Sequence, residues 1–129
     1  MLKRFMKLFH GYELAHGQYR VVKQEADGKM SGRAVTVSEP VTEENFKHHL
    51  NGGDYILGII MLKLDNSCNF GVIDIDIRGE LKLNESLESL EKKIRKTPLI
   101  LCRSKSGGAH LYLFCEPAIA AIDMVSKLN

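Results

Sequence analysis

FGVIDIDIRGE, residues 70–80, sets two carboxylates, Asp74 and Asp76, into an otherwise apolar run. Branched and aromatic residues at this density predict a β-strand. Side chains alternate along a strand, so Asp74 and Asp76 share a face with Val72, while Ile73, Ile75 and Ile77 take the other face and point into a core. At about 3.3 Å per residue the two Cα atoms lie roughly 6.6 Å apart. Carboxylates this close repel each other unless positive charge lies between them. A hard divalent cation, Mg²⁺ or Mn²⁺, answers that need and keeps room in its shell for water and phosphate oxygens. The plain alternative is a half-solvated strand whose exposed face carries acids.

Working outward, YILGIIML (55–62) is a second β-rich run, and the short KLDNSC segment between the two predicts that they pair as a hairpin. Further upstream, brief strands are expected at 19–22 and at AVTV (34–37), joined by the turn-rich EADGKMSGR (25–33). Thr42 is placed to cap a helix, with Glu43 and Glu44 in its first turn and Val41 able to staple to Phe46; Asn51, Gly52 and Gly53 stop it. Leu2, Phe5, Met6 and Phe9 recur at helical spacing and predict a short amphipathic helix packed on its own domain.

Downstream, a helix is expected from Asn84, with Leu87, Leu90 and Ile94 as its apolar stripe and Pro98 at its end. PLILC (98–102) and HLYLFC (110–115) read as strands. AIAAIDMVSKL (118–128) reads as a last helix that buries Ile119, Ile122 and Val125. This order predicts an α+β fold, mainly an antiparallel sheet with helices packed on one side.

Composition narrows the class. The 129 residues suit one domain, and at 44% hydrophobic the chain can form a core. The formal net charge of +2 neither demands nor excludes nucleic acid. Lys3, Arg4, Lys7, Arg20, Lys23, Lys29 and Arg33 give the front third a basic bias that suits a template backbone. Cys68, Cys102 and Cys115 are widely spaced beside apolar runs, which predicts reduced, buried thiols and a cytoplasmic protein. No apolar run is long enough to span a membrane, and the N-terminus lacks a secretory pattern.

The second chemical feature is RSKSGGAH, 103–110, between two expected strands. Gly107 and Gly108 allow backbone N–H groups to turn toward an anion. Ser104 and Ser106 can donate to phosphate oxygens, and Arg103 and Lys105 supply positive charge. His110 opens the next strand, within reach of a phosphate or a ribose. It is not a P-loop, because the lysine precedes the glycines and no helix follows. The alternative is a solvated Ser/Gly hairpin loop. Acids on one strand and an anion-binding loop beside them together describe a metal–triphosphate site.

With both motifs in hand, the sequence resembles the catalytic domain of archaeo-eukaryotic-type primases, or primase-polymerases, of the conflict-system, phage and mobile-element kind. The similarity covers residues 9–115 and is strongest over 46–78 and 99–114. It implies that DID, Asp74 and Asp76, binds the catalytic divalent metals. It implies also that His110 contacts the incoming nucleotide, with Arg103, Ser104, Lys105, Ser106, Gly107 and Gly108 around the triphosphate. Gly108 holds a position that is often serine in relatives. The family carries a third acid on a later strand. After His110 only Glu116 and Asp123 remain, and neither falls there, so the expectation is an N-terminal portion of a longer primase, a domain incomplete at its C-terminus, with a shortened, inactive relative as the alternative. The implied activity is metal-dependent addition of an NTP or dNTP to a 3′-hydroxyl on a DNA template, with a helicase or further C-terminal domains as candidate partners. The alternatives are a non-catalytic nucleotide- or nucleic-acid-binding module of the same lineage and an inert structural or partner-binding α+β domain.

Overall fold

The computed structural model describes residues 1–26, 30–76, 80–104 and 107–129, with residues 80–85 as backbone only. Of the residues singled out above, Lys29, Ile77, Lys105 and Ser106 lie outside this described set. The elements run α1 (Leu2–Leu8), β1 (His16–Gln24), β2 (Met30–Val37), α2 (Glu43–Leu50), β3 (Ile56–Gly58), β4 (Ser67–Ile75), α3 (Glu80–Ile94), β5 (Ile100–Arg103), β6 (Ala109–Ala120) and α4 (Ala121–Leu128). The expected α+β class and antiparallel pairing are what the chain adopts. Among the described residues no helix is long and apolar enough to cross a membrane.

The strands form two sheets, ordered β2-β1-β3 and β4-β6-β5. Here one expectation is corrected. The run at 55–62 does not form a hairpin with the acidic strand: β3 pairs with β1, Tyr19 opposite Ile56 and Gly17 opposite Gly58, while β4 pairs with β6. Apolar content marks both segments as strands but carries no information about their partners. Beyond Gly58 the chain leaves its sheet, and the Ile60 carbonyl accepts from the Tyr12 N–H at 2.7 Å, so this segment bonds to the connection between α1 and β1 instead of pairing with β4.

In the second sheet β6 is central. On one face Cys68 and Leu113 meet Met124 of α4, with Leu99, Cys115, Ile119, Ala121 and Leu128 packed around them. Burial of the Cys68 thiol pushes its pKa up, and all three cysteines are free thiols. The last helix starts three residues later than expected, because 118–120 remain in β6, where Ile119 pairs with Cys68. Ala121, Met124 and Leu128 therefore become the inward stripe. Met124 is 3% exposed, whereas Ile122, expected to be buried, is 72% exposed and Val125 is exposed too.

The opposite face of the same sheet is aromatic. Phe9, just past α1, presents its ring edge-on to Phe70, Tyr112 and Phe114, with centroids 5.3, 5.4 and 5.2 Å away. Such pairs are worth about 0.5–1.5 kcal/mol each beyond area burial. Phe5, one turn earlier, meets Phe46 of α2 at 6.0 Å. The amphipathic N-terminal helix thus packs on its own domain, as expected, and ties the second sheet to α2. Thr42 caps α2: its hydroxyl accepts from the Asn45 N–H, and the Asn45 side chain accepts from the Thr42 N–H at 2.7 Å, a reciprocal capping box.

Candidate active site

The aromatic face of the second sheet continues into polar ground. Along β4, Phe70, Val72 and Asp74 follow one another on one face, and along β6 His110, Tyr112 and Phe114 do the same. Antiparallel register sets Asp74 directly opposite His110. The His110 Nε2 lies 3.2 Å from the Asp74 Oδ1, and the His110 Nδ1 lies 3.2 Å from the Tyr112 hydroxyl. The Asp74 side chain is 75% exposed and that of His110 is 31% exposed. A pair this open to water contributes at most about 1 kcal/mol, so an incoming anion or cation can replace either partner. Asp76 is exposed, one residue past the end of β4.

The loop between β5 and β6 closes on itself. The Ser104 N–H donates to the Gly108 carbonyl at 2.9 Å, and the Gly107 N–H donates to the Ser104 carbonyl at 3.2 Å. The Gly107 amide is therefore engaged within the loop. Gly107 has φ +87°, where glycine is favoured. Gly108 lies so close to the end of β4 that a Cβ on it would stand 2.3 Å from the Ile75 carbonyl oxygen. This contact presses the loop onto the strand that carries Asp74. Ser104 is buried and Arg103, at the end of β5, is exposed.

These groups line one cavity of about 520 Å³. Asp74, Arg103, Ser104, His110 and Tyr112 form its polar wall. Phe5, Phe9, Phe46, Phe70, Val72, the run from Ile56 to Ile59 and Met61 form the apolar remainder, which places the cavity between the two sheets. Asp76 and the two loop glycines are not among its lining residues. The sequence reading missed Tyr112, the apolar wall at residues 56–59 and 61, and His49. The Leu57 N–H donates to the His49 Nδ1 at 3.2 Å, and burial pushes its pKa down, so the ring is held neutral at the cavity wall. For Tyr112 a signal existed: the alternation in HLYLF puts it on the face of His110.

The other histidines lie elsewhere. His16 is buried and its Nδ1 donates to the Glu39 carbonyl at 2.9 Å. His10 lies 3.7 Å from Glu13. His48 stacks on Tyr55 at 4.3 Å and meets Asp54 at 2.7 Å.

Set against known families, the whole of this arrangement falls within one match. The family model described as the archaeo-eukaryotic primase domain of the TOTE conflict system covers residues 2–128. The chain belongs to that family. Among curated proteins none matches it.

In this primase domain the carboxylate at the cavity wall, Asp74, offers hard oxygens, the donor type that Mg²⁺ or Mn²⁺ takes. Asp76, two residues on, is exposed past the end of β4, and among the described residues no group of three or more His, Cys, Asp or Glu side chains is placed to hold a metal ion. The donor chemistry fits a cation that draws most of its shell from water and phosphate oxygens, not one enclosed by protein.

Proposed function

We propose that this primase domain binds a nucleoside triphosphate with a divalent cation and adds the nucleotide to a 3′-hydroxyl on a DNA template, releasing pyrophosphate. One observation carries the reading. A cross-strand carboxylate–imidazole pair, Asp74 and His110, stands at the polar wall of a cavity whose other wall is apolar and aromatic. Triphosphate chemistry needs the first, and a base or sugar suits the second. Asp74 and Asp76 would hold the cation, which when bound neutralises phosphate charge and lowers the pKa of the attacking hydroxyl. His110 donates from Nε2 to a phosphate oxygen in place of Asp74. Arg103 donates from the end of β5 and Ser104 from the adjoining loop, with Lys105 and Ser106 assigned to the same role by the family resemblance.

A second reading, a nucleotide-binding module without catalysis, is favoured by the absence of a third ligand among the described residues. Titration of fluorescent dNTP with and without Mn²⁺, followed by primer extension on a template, separates the two. Binding that depends on Mn²⁺ and is lost in Asp74→Asn, with extension, supports catalysis. Such binding without extension supports the module. Binding that ignores both the cation and Asp74 sinks both.

A further inference from the structure

His110 has neighbours on both ring nitrogens, and their chemistry favours one tautomer of the neutral ring. On one side, Nε2 faces the Asp74 carboxylate at 3.2 Å. An ionised carboxylate only accepts hydrogen bonds, so Nε2 must carry the hydrogen. In the neutral imidazole Nδ1 then presents a lone pair, and the group 3.2 Å from it is the Tyr112 hydroxyl, which can donate. The three side chains thus form a chain of donors running one way, from the phenol through the imidazole to the carboxylate.

Packing holds the phenol in place. Tyr112 is stacked on Phe114 at 5.8 Å and met edge-on by Phe9 at 5.4 Å, and its ring stands at 88° to that of His110. We infer that Tyr112 is a positioning residue for His110: its hydroxyl donates to Nδ1, locks the ring as the Nε2–H tautomer and keeps that N–H directed at the Asp74 side of the cavity. Burial, with smaller contributions from Cys102 and Asp74, pushes the phenol pKa up, so the hydroxyl keeps the proton it donates. The same N–H that meets the Asp74 oxygen then serves a phosphate oxygen without a change of tautomer. Tyr112 acts through His110, to which its hydroxyl is bound. This deepens the nucleotidyl-transfer reading and rests on it only for its consequence in binding.

The first test needs neither metal nor nucleotide, so it fails or succeeds separately from that reading. His110 is followed by ¹⁵N NMR of histidine-labelled protein at about pH 8.5, two units above the usual imidazole value. The expected result is a protonated Nε2 and an Nδ1 resonance displaced by an accepted hydrogen bond. In Tyr112→Phe the Nδ1 resonance should move to the position of a free lone pair. In an Asp74→Ala background the Nε2–H form should persist while Tyr112 is intact and give way to a tautomer mixture once Tyr112→Phe is added. A wild-type Nδ1 that carries the hydrogen, or an Nδ1 resonance unmoved by Tyr112→Phe, overturns the inference. Should Tyr112→Phe not fold, the wild-type tautomer and the exchange rate of the Tyr112 hydroxyl proton decide: a slowly exchanging hydroxyl supports the assignment and a freely exchanging one overturns it. The second test is a double-mutant cycle on Mn²⁺-dependent dNTP binding. Tyr112→Phe should weaken binding about two- to tenfold, the span of one hydrogen bond, and add nothing in a His110→Ala background. An equal loss in both backgrounds would assign Tyr112 a general packing role instead.

Discussion

Adjacent glycines in the β5–β6 loop should respond differently to the same added methyl group. At Gly107 the space is open, but φ is +87°. Alanine there meets only the left-handed backbone penalty, about 1 kcal/mol. At Gly108 a Cβ would stand 2.3 Å from the Ile75 carbonyl oxygen, about 1 Å inside ordinary contact at 3.4 Å. The obstructing atom is backbone, so no rotamer change relieves it, and the adjacent Ala109 is fully buried between Ile75 and Arg103. The loop must lift off β4, at the upper end of the overpacking range, about 3 kcal/mol. For a domain of this size 1 kcal/mol moves Tm by about 4 °C. Thermal unfolding should therefore fall by about 4 °C in Gly107→Ala and about 12 °C in Gly108→Ala. Only the second should also weaken Mn²⁺-dependent dNTP binding, because lifting the loop separates His110 from Asp74. A Gly108→Ala protein as stable as Gly107→Ala would falsify the close approach, and equal binding in both would break its link to the site.

Two more outcomes follow from packing and charge. Met124→Ala should lower unfolding free energy by about 2–5 kcal/mol in denaturant titration, since its side chain fills the core under α4, while Ile122→Ser two residues earlier should change it by less than about 0.5 kcal/mol. The Arg20 guanidinium, and after it His48, hold the Asp54 carboxyl below its usual value of 3.8. A depressed carboxyl gives stability that is present above the unfolded value and lost as pH falls through the folded one. Asp54→Asn should thus be less stable than wild type at neutral pH, by a margin that shrinks below about pH 4 and with added salt, as followed by urea titration across pH.

How far the sequence led depended on the kind of information each feature needed. Local features were legible: Thr42 as a cap, Asn51–Gly52–Gly53 as a stop, and the strands around Asp74 and His110, because periodicity and turn chemistry are written in neighbouring residues. Pairing was not. YILGIIML has the composition of a strand whether it lies beside β4 or β1, and only the three-dimensional course of residues 59–62 past Tyr12 decides. The last helix shows the same limit at finer scale. Its start moved by three residues because β6 holds Ile119 in register with Cys68, and this rotated Met124 inward in place of Ile122 and Val125. The polar wall of the cavity was legible as two motifs, but its aromatic wall was not, since Phe5 and Phe9 lie over a hundred positions from Tyr112 and Phe114.

Why an apolar strand ends in two carboxylates is answered by the gradient along one face of β4. Phe70 is buried beneath Phe9, Val72 is half-buried at the cavity wall, and Asp74 is exposed at the mouth. The same face thus passes from closed core to open water within five residues. β6 runs antiparallel beside it, with Phe114 and Tyr112 met by the Phe9 ring and His110 opposite Asp74. A charge at position 70 would be desolvated under three rings, whereas at 74 it is hydrated and has an imidazole opposite. The aromatic cluster therefore does two jobs with one set of contacts. It fixes the two strands in the register that opposes Asp74 to His110, and it leaves the polar ends of that register at the wall of the cavity between the sheets.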